Sequence, residues 1–401
     1  VNLIRARMAE WRAAGCPGTT RITAELLAWW NREGRHPRLF FAQREAAETV
    51  IFLAEARADF LTGIDIPRDE PSEEKKALGY AGFRRQCAKM ATGAGKSTVA
   101  AMLAAWSILN KVADRGDVRF SDLVLIVCPN VTIRSRLGEL DPERGEASIY
   151  VTRDLVPPSL RPDLAKGRVV ITNWHAFEPL DPNAGAKVQK PAAAASALPD
   201  ETTSTEWITI GAKTTTGRGG RYYTTQDYDM ALAAGQIEEV RPDKDGDTRL
   251  RLVRRTRYIE SDAALVKRIL GPGGKQNVLV INDEAHHAYR IPPKVQDDDQ
   301  PDLELDEDDS EDEEADRKEA TVWVEGLDRV HKVRGINLCV DLSATPYYLG
   351  RMGDATNTVF PWTVSDFGLT DAIESGLVKV PQLVARDNSG KLLESYFNIW
   401  A

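Results

Sequence analysis

Two features of the sequence predict an α/β fold with a mainly parallel sheet flanked by helices. After residue 85, short apolar runs alternate with longer helical stretches, as expected for strand–helix–strand units. The apolar runs are continuous rather than alternating, which is typical of strands buried on both faces of a parallel sheet. The predicted strands are residues 86–90, 123–128, 169–172, 278–281 and 338–342.

Apolar residues at helical spacing predict the helices around these strands. Residues 1–36 are predicted to form an N-terminal helical segment, and residues 43–62 a long amphipathic helix. Another helix is predicted over residues 97–112, directly after a glycine-rich turn. At 401 residues, the chain is long enough for two or three domains, or for one large domain with insertions.

Two segments interrupt the alternation of strands and helices. Residues 181–260 are rich in Ala, Thr, Gly and Pro, so we expect a β-rich, partly flexible surface insertion that contains a β-hairpin. Residues 292–318 carry a dense acidic run, and we expect a disordered loop there because like charges repel. The main lobe is therefore predicted over residues 37–385, and residues 386–401 are expected to start a following region.

The formal charge of −9 does not exclude a nucleic-acid partner, because the acidic residues are concentrated in one segment. Fourteen acidic residues and no basic ones lie between Asp297 and Asp316, and without them the formal charge would be +5. Basic surface is what binding to a phosphate backbone requires. The rest of the chain is mildly basic, so a nucleic-acid partner stays open.

The cysteines and the apolar runs bear on the cellular compartment. The four cysteines are scattered without a C-x-x-C pair, which argues against a zinc or dithiol site. This usage is typical of a reducing cytoplasm, where we expect the protein to reside. No apolar run reaches the roughly 18 residues that span a bilayer, so no membrane partner is predicted. Because the sequence begins with Val1 rather than Met, we expect a fragment of a longer chain.

The strongest chemical signal is the glycine-rich segment at residues 90–97, which reads MATGAGKS. Glycines let consecutive backbone N–H groups wrap an oxyanion, a lysine reaches the β- and γ-phosphates, and a hydroxyl binds Mg²⁺. The helix that follows points its positive N-terminal end at the same place. The strict pattern has glycine where this sequence has Met90, a departure that removes no catalytic group. The predicted ATP-binding residues are Thr92, Gly93, Ala94, Gly95, Lys96 and Ser97.

The second signal is the pair Asp283 and Glu284, which directly follows the apolar strand at residues 278–281. Ligands of open α/β sheets bind at the carboxyl ends of the strands, which is where this pair is expected. We predict that Asp283 holds Mg²⁺ together with Ser97, and that Glu284 orients and deprotonates the attacking water. Lys96, Asp283 and Glu284 are therefore the predicted catalytic residues.

A third segment, Ser343-Ala344-Thr345-Pro346, also follows a predicted strand. Alone it would indicate only a turn, but its position after the other two motifs adds weight. In this order, ATGAGKS, DEAH and SATP resemble the first RecA-like motor lobe of superfamily-two DEAD/DEAH-box helicases. More narrowly, MATGAGK, ITNWHAF, INDEAHHAY and DFGLTDAI resemble the restriction subunit of type III-like restriction systems.

This resemblance covers residues 37–385 and implies a P-loop NTPase lobe that moves a helicase or translocase on DNA. It also implies that Gln43, about fifty residues ahead of the glycine-rich segment, reads adenine. The implied partners are ATP, Mg²⁺, duplex DNA, a second RecA-like lobe of a longer chain and a modification or recognition subunit. The implied coupling residues are His286, Ser343 and Thr345, and the implied nucleic-acid contacts are Pro129, Asn130, Thr172, Asn173 and Trp174.

Weaker patterns leave alternatives open. The arginines of residues 249–257 would either contact DNA phosphates or form a solvated hairpin face. Residues 217–223 mix arginine with tyrosine and suit either a flexible loop or a stacking surface. Residues 301–302 and 316–318 formally match a nuclease pattern but lack the strands that would hold its acids. Neither His175 nor His287 has neighbours at metal-ligand spacing.

Two other functions also fit the motifs. One is an RNA helicase of the same superfamily, because such a motor contacts the backbone rather than the bases. The other is a nucleotide-gated binding module that is inactive without the second lobe. A second lobe is not expected within this sequence, because too few residues follow residue 385.

Overall fold

The structure, a computed structural model, describes residues 1–179, 197–210, 221–223, 225–233, 237–242, 248–291, 307–348 and 358–379. The chain divides into two compact units, one of residues 1–178 and 269–401 and the other of residues 179–268. The strands of the described residues are β1 Arg85–Met90, β2 Leu123–Cys128, β3 Arg168–Asn173, β4 Ala197–Ile210, β5 Arg221–Tyr223, β6 Ile237–Pro242, β7 Thr248–Glu260, β8 Val278–Asp283, β9 Ile336–Ser343 and β10 Thr363–Phe367.

The helices of the described residues range from one turn to 28 residues in length. Among them, α5 follows the glycine-rich segment and α11 precedes β9. In chain order, the helices are α1 Asn2–Ala13, α2 Arg21–Asn31, α3 Phe41–Glu55, α4 Glu73–Ala77, α5 Lys96–Ala113, α6 Val131–Leu137, α7 Ile149–Thr152, α8 Arg161–Leu164, α9 Thr225–Ala233, α10 Asp262–Leu270, α11 Glu307–Arg334 and α12 Leu369–Glu374.

The first unit is built on a six-stranded sheet in the order β10-β1-β9-β8-β2-β3, and all its neighbouring strands are parallel. The predicted α/β class with a parallel sheet flanked by helices is therefore confirmed. All five predicted strands are present, each extended by at most two residues at either end. Strand β10 was not predicted, because Ser365 and Asp366 interrupt its apolar residues and leave no continuous apolar run.

Side chains alternate between the two faces of this sheet, and the faces are covered differently. Ala88 and Met90 of β1 pack into a large apolar core with α1, α2, α3 and α5. Cys87 points to the opposite face, where Ala320 of α11 and Trp362 pack against it. The sheet is thus a layer between helices, as expected from its continuous apolar runs.

The N-terminal helices pack into the core of the first unit. Trp11 of α1 and Trp30 of α2 are buried in the same core as Val50 of α3 and Leu103 of α5. Residues 1–36 are helical as predicted, through α1 and α2, and these helices share one apolar core with the sheet. The predicted helix over residues 43–62 is shorter than expected, since Ala56 leaves α3 in an extended conformation (φ −60°, ψ 147°).

The second unit contains the predicted insertion. Its four strands form a sheet in the order β5-β4-β7-β6, in which β4 and β6 both pair antiparallel with β7. β6 and β7 pair as the expected antiparallel hairpin, and most of the described residues between 197 and 260 are in strands. Helix α9 was not predicted within this insertion.

The acidic segment is partly helical. Helix α11 begins at Glu307 and continues to Arg334, so the expected disorder of residues 292–318 is wrong for residues 307–318. Apolar side chains in the second half of the helix, including Trp323, Leu327 and Val330, are buried. Burial of this face stabilises the helix, and the acidic residues form its first turns. Residues 292–306 and 386–401 lie outside the described residues.

Within the residues that the structure describes, no helix is both long and apolar enough to cross a bilayer.

Candidate active site

The glycine-rich segment forms the turn between β1 and α5. Gly93 and Gly95 have φ angles of +83° and +92°, the left-handed region that favours glycine. A Cβ atom at residue 95 would lie 2.0 Å from Nε2 of Gln43. Glycine at residue 95 therefore suits the left-handed backbone of the turn, and its missing Cβ leaves room for the side-chain amide of Gln43.

Gln43 lies in the first turn of α3 and is only 6% exposed. Its Nε2 donates to the carbonyl oxygen of Ala94 at 3.2 Å, and its Oε1 accepts from the backbone N–H of Phe40 at 3.0 Å. The structure thus brings the predicted adenine-reading residue onto the glycine-rich turn. Both ends of the amide are bonded within the protein, so Gln43 also positions the turn.

Lys96 and Glu284 meet across the carboxyl edge of the sheet. Lys96 is the first residue of α5, whereas Glu284 follows β8, and β9 lies between β1 and β8. The distance from Lys96 Nζ to Glu284 Oε1 is 2.7 Å. Glu284 has a left-handed backbone conformation (φ 51°), which is uncommon for a residue other than glycine. Two motifs far apart in the sequence therefore form one site.

Asp283 lies beside this ion pair, at the end of β8. Burial and the neighbouring Glu284 raise the pKa of Asp283 to about 6, although Lys96 acts in the opposite direction. Carboxylates with raised pKa values are common at functional sites, because burial and neighbouring charges there destabilise the ionised form. A cation beside Asp283 would favour its ionised form.

His286, Ser343 and Thr345 form a hydrogen-bonded group that joins the ends of β8 and β9. The Ser343 hydroxyl lies 3.0 Å from His286 Nδ1 and accepts from the Thr345 backbone N–H at 3.1 Å. Burial and the adjacent His287 lower the pKa of His286 to about 4. The imidazole is therefore neutral at pH 7, and its Nδ1 can accept the proton of the Ser343 hydroxyl. All three predicted coupling residues meet here.

A buried polar network lies behind the site, on the sheet face that α11 covers. Arg85 Nε donates to Asp341 Oδ2 at 2.7 Å, and both side chains are fully buried. Asn282 Nδ2 donates to the other carboxylate oxygen of Asp341 at 2.8 Å. Trp323 of α11 then donates to Asn282 Oδ1 at 3.1 Å, and Trp362 donates to Asp341 Oδ2 at 2.9 Å. The network ties α11 to the residue that precedes Asp283.

The network continues through a second buried carboxylate. Arg85 Nη1 donates to Asp69 Oδ2 at 2.8 Å. Asp69 also pairs with Arg290, and Arg290 donates to both carboxylate oxygens of Asp328 at 2.9 and 2.7 Å. Although burial lowers it, Asp341 and Asp69 together raise the pKa of Arg85. This network was not predicted, and its signal in the sequence is Asp341, a charged residue inside the apolar run of β9.

The predicted nucleic-acid residues lie at the carboxyl ends of two neighbouring strands, since Cys128 of β2 pairs with Asn173, the last residue of β3. Asn130 is exposed, and its side chain caps α6 by accepting from the Ile133 N–H at 2.9 Å. Trp174 is 8% exposed and stacks on His175 with ring centroids 3.7 Å apart. Thr172 is 7% exposed, so neither it nor Trp174 offers much free surface, whereas Asn130 is exposed and Pro129 and Asn173 are half-buried.

His287, Asp316 and Glu319 form an unexpected cluster, each offering one ligand atom within 4.8 Å of the others. Burial and Asp316 raise the pKa of Glu319 to about 7. The two acids lie on α11, about thirty residues after His287, so the sequence does not show that the three side chains are close together. Two other predicted features, the side chains of arginines 249–257 and residues 301–302, lie outside the described residues.

Comparisons with known proteins add no family assignment. Neither the models of known protein families nor the curated proteins gave a match to this sequence.

Proposed function

We propose that this chain is the ATP-hydrolysing motor lobe of a DNA helicase or translocase of the restriction type, with a RecA-like arrangement of its P-loop. The observation that carries the proposal is the 2.7 Å contact between Lys96 and Glu284. It joins the turn suited to phosphates to the carboxylates suited to hydrolysis, at the sheet edge where α/β proteins bind ligands.

The turn offers what a triphosphate needs. Gly93 and Gly95 have left-handed conformations and no side chains, so the backbone of the turn can approach a ligand closely. Helix α5 begins directly after them, at Lys96. Helix N-termini attract anions through their free N–H groups and their dipole. A phosphate that binds here would replace Glu284 as the partner of Lys96, which would free the carboxylate.

The freed Glu284 would orient the attacking water and accept its proton, while Lys96 stabilises charge on the phosphates. His286, neutral and bonded to Ser343, would keep the end of β8 in register with the end of β9. The chain therefore supplies a base, a cation and a fixed frame around them.

Mg²⁺ fits the donors on this edge of the sheet. The Ser97 hydroxyl and the Asp283 carboxylate are hard oxygen ligands, which Mg²⁺ prefers, and burial makes an uncompensated Asp283 costly. When bound, the ion would neutralise phosphate charge. ATP and Mg²⁺ are accordingly the proposed cofactors, held by Ser97 and Asp283 together with the turn.

DNA is the proposed track, and the exposed or half-buried residues Pro129, Asn130 and Asn173 are the proposed contacts. Their support is their position at the carboxyl ends of β2 and β3, on the same sheet edge as the proposed ATP site. A second RecA-like lobe from a longer chain would face this edge and complete the site. A recognition subunit and a cytoplasmic location belong to the same proposal.

The test is ATP hydrolysis by the complete protein, measured with and without duplex DNA. We expect stimulation by duplex DNA that is abolished by Lys96→Ala and by Glu284→Gln. Hydrolysis unchanged by both substitutions would contradict the proposal. Stronger stimulation by RNA would favour an RNA helicase instead, and ATP binding without turnover would favour a nucleotide-gated binding module.

A further inference from the structure

A second candidate binding site lies at the junction between α2 and α3. A cavity of about 400 Å³ opens there, a volume within the range of small-ligand sites. None of the residues assigned above to ATP or to DNA lines it. Gln43 precedes the lining residue Arg44, but its side chain faces the glycine-rich turn. Four arginines contribute to the lining: Arg32, Arg35, Arg38 and Arg44.

Arg35 is the fixed element of this cavity. It is 4% exposed, and its guanidinium donates to the carbonyl oxygens of Pro37, Arg153 and Asp154. These partners are uncharged, and Nε is buried without a hydrogen-bond partner among the described residues. Burial lowers the pKa of Arg35, but a guanidinium stays charged at neutral pH. The cavity wall therefore carries a buried positive charge whose position is fixed by hydrogen bonds.

The surrounding carboxylates do not neutralise the positive charge of the arginines that line the cavity. Asp154 pairs with Arg32, and Glu48 is shared between Arg12 and Arg44, with Arg44 at the longer distance of 3.8 Å. Glu33 is the single acidic residue in the described lining. Uncompensated positive charge favours an anionic ligand, because like charges close together destabilise one another.

Arg38 and Arg44 are the lining arginines that can reach a ligand, although Arg44 also pairs with Glu48 at 3.8 Å. Both are exposed, and Arg38 has no carboxylate within ion-pair distance in the part of the chain that the structure describes. A guanidinium binds phosphate through two parallel N–H bonds, a geometry that an ammonium group cannot offer. Several guanidinium groups around one cavity suit a dianion better than a carboxylate.

We propose that this cavity binds the phosphate group of a small phosphomonoester, with Arg38 and Arg44 as donors and Arg35 as the fixed charge behind them. The volume exceeds what one phosphate needs, so a sugar phosphate fits better than inorganic phosphate. This site goes beyond the proposed ATPase and does not depend on it.

The experiment measures binding of ribose 5-phosphate and of inorganic phosphate by calorimetry, using the full chain with Lys96→Ala throughout. That background removes the phosphate-binding lysine of the proposed ATP site, so success or failure here is separate from that proposal. Arg38→Ala/Arg44→Ala is compared with Arg57→Ala/Arg115→Ala, which removes the same charge from exposed arginines outside the cavity. Circular dichroism checks that each variant folds.

We expect saturable binding that falls at least tenfold in the Arg38/Arg44 variant and stays within about twofold in the control, since a charge-assisted bond is worth about tenfold in affinity. Tighter binding of ribose 5-phosphate would support a sugar-phosphate ligand, and equal binding would show that the phosphate alone is recognised. Equal loss in both double variants, or no saturable binding of either probe, would overturn the proposal.

Discussion

Lys96 Nζ lies 2.7 Å from Glu284 Oε1, so the lysine suited to phosphate and the carboxylate suited to activating water share one ion pair. The lysine belongs to the helix after β1, and the glutamate follows β8. Each side chain therefore fixes the position of the other. Replacing one removes both a chemical group and the partner that holds the second group in place.

Substitution of this pair should separate binding from turnover. Lys96→Ala is expected to lose both ATP binding and hydrolysis, because the phosphate partner is gone. Glu284→Gln is expected to keep ATP binding but to lower turnover by about 10²–10⁴-fold, the usual contribution of a general base. Nucleotide titration and a phosphate-release assay check this. Lys111→Ala, at the other end of α5, is the control, and equal losses in all three variants would contradict the assignment.

Asp283→Asn should stabilise the protein while abolishing Mg²⁺-dependent turnover. The folded-state pKa of Asp283, about 6, lies above its ordinary value of 3.8, so ionisation destabilises the folded state. This loss of stability begins near pH 4 and is complete above pH 6. It amounts to at most about 3 kcal/mol. Denaturant unfolding at pH 8 and pH 4 is the measurement.

The pH dependence distinguishes this effect from a general one. The Asn variant should exceed the parent in free energy of unfolding at pH 8, and the difference should shrink towards pH 4, where the parent carboxyl is protonated. A pH-independent difference would show that charge at residue 283 is not its cause.

Gly95→Ala should weaken ATP binding more than Gly93→Ala. Both glycines have positive φ angles, so the backbone strain is comparable. A Cβ at residue 95 would displace Gln43 Nε2, whereas one at residue 93 would meet only Val378 at 3.9 Å. The side-chain end of Gln43 can move, so we expect Gly95→Ala to fold and to lose the Gln43 contact. ATP affinity of the two variants is compared; equal affinities would show that Gln43 does not position the turn.

Arg85→Met should be strongly destabilising. It leaves Asp341 and Asp69 buried without their shared cation, and breaking a buried pair typically costs about 3–5 kcal/mol. Arg57→Met, which breaks a solvent-exposed pair with Asp59, should change the free energy of unfolding far less. Urea unfolding of both variants is the measurement. Similar losses would mean that the Arg85 network does not stabilise the sheet.

The parts of the fold that the sequence predicted are those determined locally. The run at residues 123–128 is continuous and apolar, and it forms a strand over the predicted residues. The glycine-rich turn was recognisable because phosphate binding dictates residue types at fixed spacing. The proximity of the glycine-rich turn to Asp283 and Glu284 was expected because both follow strands of one parallel sheet, but the ion pair between Lys96 and Glu284 was not predicted.

What the sequence did not predict depends on contacts between distant segments. Periodicity shows that Trp30 faces a core, but not that this core is shared with α5. The acidic charge at residues 307–316 suggested disorder, yet burial of Trp323 further along stabilises the helix to which they belong. Asp341 interrupts the apolar run of β9, and its buried carboxylate is explained by its ion pair with Arg85, which lies far away in the sequence.

The strand order has a consequence for how the protein is made. β1, which carries the glycine-rich turn, lies between β9 and β10, and these are the last two strands of the sheet to leave the ribosome. During synthesis, β1 therefore has no neighbouring strand until residues 336–343 emerge. Until then, the apolar segments made earlier belong to a partly folded chain. Apolar surface that is exposed at this stage promotes aggregation.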